Sequence, residues 1–364
     1  MTTTVDFGDT RARRDALADR LATAGHGREW TEAVRAVPRH LFVPEFYEQD
    51  PAGHWRPVRS GDTGYLDGVY SDRALTTQVT EGLPTSSSSE PDLMLTMLEA
   101  LDLEAGQRVY ECGLGTGWNA GLMTHRVGDQ NVTSVDIDAD LTGPATRRLA
   151  RAGYRPHVRT GDGVVGAPDR APFDRFIATC GLQSIPRPWL AQAARDAVVV
   201  APIGWGLVQL TVHGDEAHGR FLPQGAHFMA RRSTAAKPRF DELNDAPTRR
   251  TTVTVEAVER LEFPLSLALP GHQWCTWSDG EGTLSAVGIW TPDGSTAIAR
   301  ADGTVRQIGP RRLGDTVGEL QHAFSSSAPN RADFGLTVTP EQQRVWWGDP
   351  GHLGWDLPEL VFTP

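Results

Sequence analysis

From Thr10 to Ala24 apolar residues recur at helical spacing, with Leu17 and Leu21 on one face, arginines and acids elsewhere, and Gly25 as a stop. Arg28 to Val37 repeats the pattern around Trp30, Val34 and Val37. The next segment, Val37-Pro38-Arg39-His40-Leu41-Phe42-Val43-Pro44, carries two prolines, which end the helix and predict an extended apolar stretch. Residues 45–80 mix polarity with scattered aromatics (Phe46, Tyr47, Trp55, Tyr65, Tyr70) and read as a lid or wrapping segment. Leu93, Met94, Met97, Leu98 and Leu101 then mark an amphipathic helix opened by Pro91, with Ser89 near its cap. The serines before it, Ser86 to Ser89, could form a linker. The helix-start reading is preferred, because hydroxyls at a helix N-terminus make a natural anion site.

From 107 to 210 strand and helix patterns alternate. Strand-like pieces fall at 107–112, 131–136, 155–160, 173–179, 196–203 and 206–212, and helices fit 117–127, 139–152 and 187–195. This predicts an α/β class with a mostly parallel, doubly wound, Rossmann-like sheet covered on both faces, its ligands beyond the carboxyl ends of the strands. After 213 the pattern changes. Residues 213–250 are loop-like, Thr251 to Val258 alternates like a strand, and Pro292-Asp293-Gly294 and Ala301-Asp302-Gly303 are turn signals between short strands. Trp274, Trp277, Trp290, Trp346, Trp347 and Trp355 cluster here and read as core. The division is an N-terminal helical and lid segment (1–80), a ligand-binding α/β domain (81–212) and a β-rich or α+β accessory domain (213–364).

A length of 364 residues favours two domains, and 39% hydrophobic residues suffice for real cores. The formal charge of −11 argues against a broad nucleic-acid face. Arg231, Arg232, Lys237, Arg239, Arg249 and Arg250 form a local basic stretch, readable as a solvated loop or as a contact for an acidic peptide. Cys112, Cys180 and Cys275 show no C-x-x-C spacing, so free thiols in a reducing compartment are expected. The greasiest stretch, Ala197 to Leu210, is too short to span a bilayer, and no signal-like run opens the chain; a cytoplasmic protein without membrane association is expected. No histidine pair has metal-ligand spacing, so no metal is expected.

The chemistry centres on Arg108 to Asn119, where a buried strand runs into a glycine-rich turn. Gly113, Gly115 and Gly117 let the backbone approach a ligand closely, but Trp118 stands where a dinucleotide fingerprint needs glycine. Glu111 precedes the turn, Asp136 ends the next strand in position for ribose hydroxyls, and Gly161-Asp162-Gly163 follows the third. Together these indicate an S-adenosyl-L-methionine site, with S-adenosyl-L-homocysteine as product. The candidate contacts are Ser86, Ser87, Glu111, Cys112, Gly113, Leu114, Gly115, Thr116, Gly117, Asn119, Asp136, Ile137, Gly161, Asp162, Gly163, Thr179 and Cys180. Cys112 reads as a packing residue and not a nucleophile. Asp174 reads as structural, and His125 and His157 as surface residues.

The chain resembles the protein-L-isoaspartate O-methyltransferases over roughly residues 30–212. Val37 to Pro44 is similar to that family's Val-Pro-Arg-x-x-Phe-Val-Pro signature, and Ser87 to Pro91 to its Thr-Ile-Ser-x-Pro segment, which places Ser89 on the catalytic-site serine. Gly161-Asp162-Gly163 and Pro172-Phe173-Asp174 match later motifs. Ser87-Ser88 departs from the family's Thr-Ile, and about 150 residues follow the catalytic domain. With Tyr70 to Leu75, Pro84 to Ser89 and Phe334 to Pro340, those departures resemble the methyltransferases of ATP-grasp peptide-maturation systems. That narrower resemblance implies a crosslinked ribosomal peptide (a graspetide) as partner. It also implies methylation of an ordinary L-aspartate, whose ester then closes to an aspartimide. Hydroxyls of Ser88 and Ser89 would orient a carboxylate that needs no general base, being already ionised. Two other readings stand beside it: isoaspartyl repair, and a non-catalytic module that binds S-adenosylmethionine.

Overall fold

The computed structural model describes residues 10–229, 237–325 and 328–360; Arg231 and Arg232 of the basic stretch lie outside them. Helices α1 (Thr10–Ala24) and α2 (Arg28–Ala36) form where their periodicity predicts and bury Leu17, Leu21, Trp30 and Val34. Between the two prolines the chain is helical and not extended: Arg39–Phe42 makes a short helix, α3, closed by a bond from Val43 N–H to the Arg39 carbonyl. Pro38 takes the N-cap, where no N–H is required of it.

Residues 45–80 build β1 (Glu45–Gln49), β2 (Trp55–Arg59), the short helix α4 (Tyr65–Val69) and β3 (Leu75–Thr80). The serine tract is neither linker nor helix cap. It is β4 (Leu83–Ser88), the edge of a four-stranded sheet of order β2-β1-β3-β4, with Ser88 opposite Leu75 and Ser87 opposite Thr76. Helix α5 (Pro91–Leu101) starts as predicted, but Glu90 holds its N-cap without a side-chain bond, and Asp72 accepts from Asp92 N–H at 3.0 Å instead. His26, in the α1–α2 turn, lies 3.0 Å from both Asp92 and Glu99 and ties the first helices to α5.

The α/β unit runs β5 (Val109–Cys112), α6 (Trp118–Val127), β6 (Val132–Asp136), α7 (Ala139–Arg151), β7 (His157–Thr160), β8 (Phe173–Ala178), α8 (Arg187–Ala191), β9 (Ala193–Ile203) and β10 (Gly206–His213). Helix α8 is shorter than the 187–195 expected, because Ala193 already pairs with Phe173 in the sheet. Strands β7-β6-β5-β8-β9 are parallel. All four residues of β5 are buried, and alternation sends Val109 to one apolar cluster and Tyr110 and Cys112 to the other. The chain leaves β5 toward β6 on one side and returns to β8 on the other. Such a reversal opens a crevice at the carboxyl ends.

From β9 onward the pairing is antiparallel and the sheet continues through residues read as an accessory region. Strand β11 (Glu216–Gly225) occupies part of the segment expected to be loop-like. The next elements are β12 (Arg249–Arg250), α9 (Val255–Arg260), α10 (Glu262–Ala268), β13 (Gln273–Ser278), β14 (Leu284–Trp290), β15 (Thr296–Arg300) and β16 (Thr304–Ile308). They are followed by α11 (Leu313–Ala323), β17 (Phe334–Val338), β18 (Gln343–Trp347) and β19 (Gly354–Asp356). The result is a ten-stranded sheet of order β19-β18-β17-β11-β10-β9-β8-β5-β6-β7 and a separate five-stranded sheet, β12-β16-β15-β14-β13. The strand expected at 251–258 is instead α9: the Thr254 hydroxyl accepts from Ala257 N–H at 3.1 Å, and that cap overrides the local alternation. Of the six tryptophans, Trp346 is buried and Trp347 and Trp355 pack against the core, whereas Trp277 is 38% exposed.

Candidate methyl-transfer site

A cavity of about 540 Å³ lies at the carboxyl ends of β5, β6 and β8. It gathers Ser86, Ser87, Ser88, Ser89, Cys112, Gly113, Leu114, Gly115, Thr116, Asn119, Asp136, Ile137, Asp162, Gly163, Thr179 and Cys180. Three candidates do not reach its wall. Gly117 starts α6 at φ 89°, and Glu111 is fully buried beneath the turn. Gly161 serves through its backbone, donating to the Asp136 carbonyl at 2.9 Å. His125 is exposed and His157 half-buried. Asp174 accepts from Arg108 N–H at 2.8 Å, a structural bond.

The glycine turn is anchored from below. Gly113 and Leu114 donate to the Val135 carbonyl at 2.8 and 3.3 Å, and Gly115 N–H donates to Asp136 Oδ2 at 2.8 Å. A side chain at Gly113, whose φ is 104°, would bring a Cβ within 2.6 Å of Thr179 Oγ1; one at Gly163 would come within 2.3 Å of the Cys112 sulfur. Both glycines therefore let the turns that carry Thr179 and Cys112 pack directly against them. Asp162 caps the following turn by accepting from Val164 N–H at 3.2 Å, and Ile137 stands at the rim, 45% exposed. Asn119 Nδ2 donates to Glu111 Oε1 at 2.7 Å, which leaves Asn119 Oδ1 as a buried acceptor without a partner among the described residues. A buried acceptor of this kind, beside a carboxylate ending β6, suits a ligand that carries an ammonium and ribose hydroxyls.

On the opposite wall β4 is held by Arg39. This fully buried guanidinium donates to the carbonyls of Val69, Ser71, Arg73, Ser88 and Ser89 at 2.9–3.2 Å and to Ser88 Oγ at 3.3 Å. Burial pushes its pKa down to about 9, with Asp72 and Tyr70 opposing, so it stays cationic at neutral pH. The sequence placed Arg39 in an apolar segment and in the Val-Pro-Arg signature, without assigning it a role. Equally unforeseen are Gln224 to Met229, the end of β11 and the residues after it, which enter the cavity wall and are fixed by Gly181 N–H donating to the Met229 carbonyl at 2.9 Å. The apolar run Ala226, Phe228 and Met229 was the available signal.

Glu111 is also under electrostatic tension. Burial raises its pKa to about 7, against hydrogen bonds from the Ser134 hydroxyl and the Asn119 amide that favour the ionised form. A carboxyl whose pKa rises on folding stabilises the fold fully below its ordinary value near 4.5, and that contribution is lost as pH rises through about 7. Urea unfolding should therefore show stability falling by about 2–3 kcal/mol between pH 5 and 7.5 from this group. Glu111→Gln should flatten that dependence; an unchanged slope in the variant would remove Glu111 as its source.

A parallel sheet with a glycine turn after its first strand and an acid ending its second defines a Rossmann-like methyltransferase. A family model for protein-L-isoaspartate(D-aspartate) O-methyltransferase matches residues 12–222, and the chain belongs to that family. It is 34% identical over 206 residues to protein-L-isoaspartate O-methyltransferase 2 of Anaeromyxobacter sp. (strain Fw109-5), covering 55% of this chain and 73% of that one. To protein-L-isoaspartate O-methyltransferase 1 of Syntrophobacter fumaroxidans it is 32% identical over 202 residues, covering 55% and 82%. A solved protein-L-isoaspartate O-methyltransferase structure aligns with 92% of this chain and 100% of its own at a TM-score of 0.56; at 21% identity that likeness is one of fold. The protein is accordingly an S-adenosyl-L-methionine-dependent carboxyl O-methyltransferase. No helix among the described residues is long and apolar enough to cross a membrane, and none of their His, Cys, Asp and Glu side chains cluster as metal ligands.

Proposed function

We propose that the enzyme methylates the free carboxylate of an isoaspartyl residue in a peptide or protein chain. One observation carries methyl transfer at this cavity, the serine strand meeting the glycine turn inside it, and the family match favours isoaspartate as the acceptor. The Cβ position of Gly115 is 3.6 Å from the Ser87 carbonyl and 3.8 Å from Ser86 Oγ. An acceptor held on β4 therefore lies beside a donor held on the turn. Bound S-adenosylmethionine supplies an electrophilic sulfonium methyl. The donor side on this reading is Cys112 to Thr116 through their backbone, Asp136 toward the ribose, Asn119 toward the ammonium with Glu111 holding its amide from beneath the turn, and Asp162, Gly163, Thr179, Cys180 and Ile137 around the base. The acceptor side is Ser88 and Ser89 with the α5 start.

On this reading the protein's task is positioning. An acceptor carboxylate leaving water needs replacement donors at one oxygen while the other attacks. Arginine can only donate, so Ser88 Oγ, accepting from Arg39, has its own proton available for the carboxylate. Ser89→Ala is expected to lower turnover by about two orders of magnitude while S-adenosylhomocysteine still binds, the magnitude typical of a lost oriented donor. Equal loss of both would point to a collapsed site, and retained turnover would remove Ser89 from the reaction.

A second reading is favoured by the cavity wall at Gln224–Met229, beyond the matched residues 12–222, and by Ser87-Ser88. Here the acceptor is an ordinary L-aspartate in a crosslinked ribosomal peptide, and the neighbouring backbone amide displaces methanol from the ester to give an aspartimide. Incubation with an isoaspartyl peptide and an ester-crosslinked acidic peptide, followed by intact mass, decides between them. Methyl gain on the first alone supports isoaspartyl transfer; methyl gain then methanol loss on the second alone supports the tailoring reading and overturns the first.

A further inference from the structure

Two of the three cysteines meet in the wall of the donor cavity. Cys112 ends β5, and Cys180 lies two residues beyond Ala178, its neighbour across β5 and β8. Their sulfurs are 3.9 Å apart, and both residues line the cavity. The backbone beneath them is fixed, with Thr179 N–H donating to the Cys112 carbonyl at 2.9 Å and the Thr179 hydroxyl donating to the Gly113 carbonyl. Cysteines held this close on adjacent strands are one side-chain adjustment from a disulfide, whose sulfurs sit at about 2.05 Å.

We propose that Cys112 and Cys180 form an oxidation site at which a hydroperoxide installs a reversible disulfide that shuts off methyl-donor binding. Cys180 is the half-buried, cavity-facing thiol and Cys112 the buried one. The Cys180 sulfur attacks the terminal oxygen of the peroxide, breaking its O–O bond, to give a sulfenic acid, and the proton the thiol gives up goes to the departing oxygen, which leaves as an alcohol, or as water from hydrogen peroxide. The Cys112 sulfur then displaces the sulfenic oxygen, which leaves as water with the thiol proton, and the S–S bond forms. Two electrons pass from the thiols to one peroxide. The hydrogen bond with Cys180 and burial both hold the Cys112 thiol well above its ordinary pKa, consistent with its acting second.

Closure draws the sulfurs together by about 1.9 Å, the difference between their separation and a disulfide bond. Cys112 then withdraws from Gly163, against which its sulfur now lies, and the bridge ties the glycine turn to the 179–181 turn. Donor and disulfide compete for one geometry, so bound donor protects the thiols and the disulfide weakens the donor.

The test uses the full chain, treated with hydrogen peroxide with and without S-adenosylhomocysteine. The expected result is a loss of about 2 Da, the two hydrogens of a disulfide, and a Cys112–Cys180 crosslinked peptide in a non-reducing digest. Donor Kd should rise at least about tenfold, restored by dithiothreitol, and prior ligand should slow the reaction. Cys180→Ala should lose the peroxide response, measured against its own reduced form, while Cys275→Ser should keep it. Oxidation only to sulfinic or sulfonic acid, or an unchanged donor Kd in the crosslinked protein, overturns the proposal. The inference rests on assigning this cavity to the donor. Crosslink mapping does not, so a formed bridge with no measurable donor binding in either redox state would fault that assignment instead.

Discussion

Arg39→Met is expected to destabilise the protein by at least about 4 kcal/mol and to abolish methyl transfer. The guanidinium serves five carbonyls and one hydroxyl from three separate segments: the α4 end and the residues after it, β4, and the residue leading into α5. Methionine fills similar volume but donates nothing, and each buried acceptor left unpartnered costs about 1–3 kcal/mol before relaxation. The charge also lies over the Trp118 ring, 5.2 Å from its centroid, a contact that methionine replaces only in part. Arg39→Lys should fall between, since a lysine head has three donors on a flexible stem and cannot span the fan of acceptors. Urea denaturation gives the stability, and S-adenosylhomocysteine affinity reports on the other wall. In the lysine variant, turnover should fall further than donor affinity, because Arg39 braces the acceptor strand. A methionine variant as stable as the parent would show that water or rearranged backbone can replace the guanidinium.

The glycine-turn half of the cavity, the proposed donor side, was legible because its constraints are local. A turn with φ of 104°, 52° and 89° at Gly113, Gly115 and Gly117 admits few residues other than glycine, and an acid ending the next strand leaves a fixed spacing. The acceptor half was legible only in part. Four consecutive serines carry no period, so nothing in them distinguishes a cap from an edge strand; the pairing of Ser88 with Leu75 and Ser87 with Thr76 decides it from outside the segment. Arg39 was visible as the arginine of the Val-Pro-Arg signature, but its role was not, since its partners are backbone carbonyls that no pattern displays. The continuation of the sheet beyond β10 was hidden for another reason. Strand β17 pairs with β11 across more than a hundred residues, and such long-range register leaves no local mark. At Thr251 to Val258 a local cap defeated a two-residue alternation that was equally local.

The cavity wall is strongly one-signed. Its carboxylates are Glu90, Asp92, Asp136 and Asp162, with His227 as the basic-capable group among the lining residues and the thiols of Cys112 and Cys180 beside them. Burial raises the Glu90 pKa, as do the neighbouring Asp72 and Asp92. An acidic wall favours a cationic sulfonium donor over its neutral product and, before the donor binds, disfavours an acidic acceptor. If the cavity takes the donor, that charge predicts ordered binding with the donor first, which product-inhibition kinetics would check, with Arg39 behind β4 as a nearby fixed cation on the proposed acceptor side.

Asp136→Ala is expected to raise the Kd for S-adenosylhomocysteine by roughly 10- to 100-fold, with a matching loss in turnover at low donor concentration. Asp136 Oδ2 accepts from Gly115 N–H at 2.8 Å and Oδ1 from Asp138 N–H at 3.1 Å, so one side chain both shapes the glycine turn and ends β6 at the cavity. Hydrogen bonds to a charged group contribute about 1.5–3 kcal/mol, and each 1.4 kcal/mol is a factor of ten in affinity. Asp136→Asn separates the two duties. It keeps one oxygen for the Gly115 amide but removes the charge and replaces the other acceptor with a donor, so it should preserve the turn better than it preserves affinity. Titration calorimetry with the product, run beside urea denaturation, reads affinity and stability independently. If alanine at 136 weakened the ligand less than about threefold, Asp136 would be a brace for the turn and the ribose contact would have to come from another side chain. If affinity falls as expected while Ser89→Ala leaves it intact, the two walls act separately, donor on the glycine turn and acceptor on the serine strand, which is what methyl transfer between them requires.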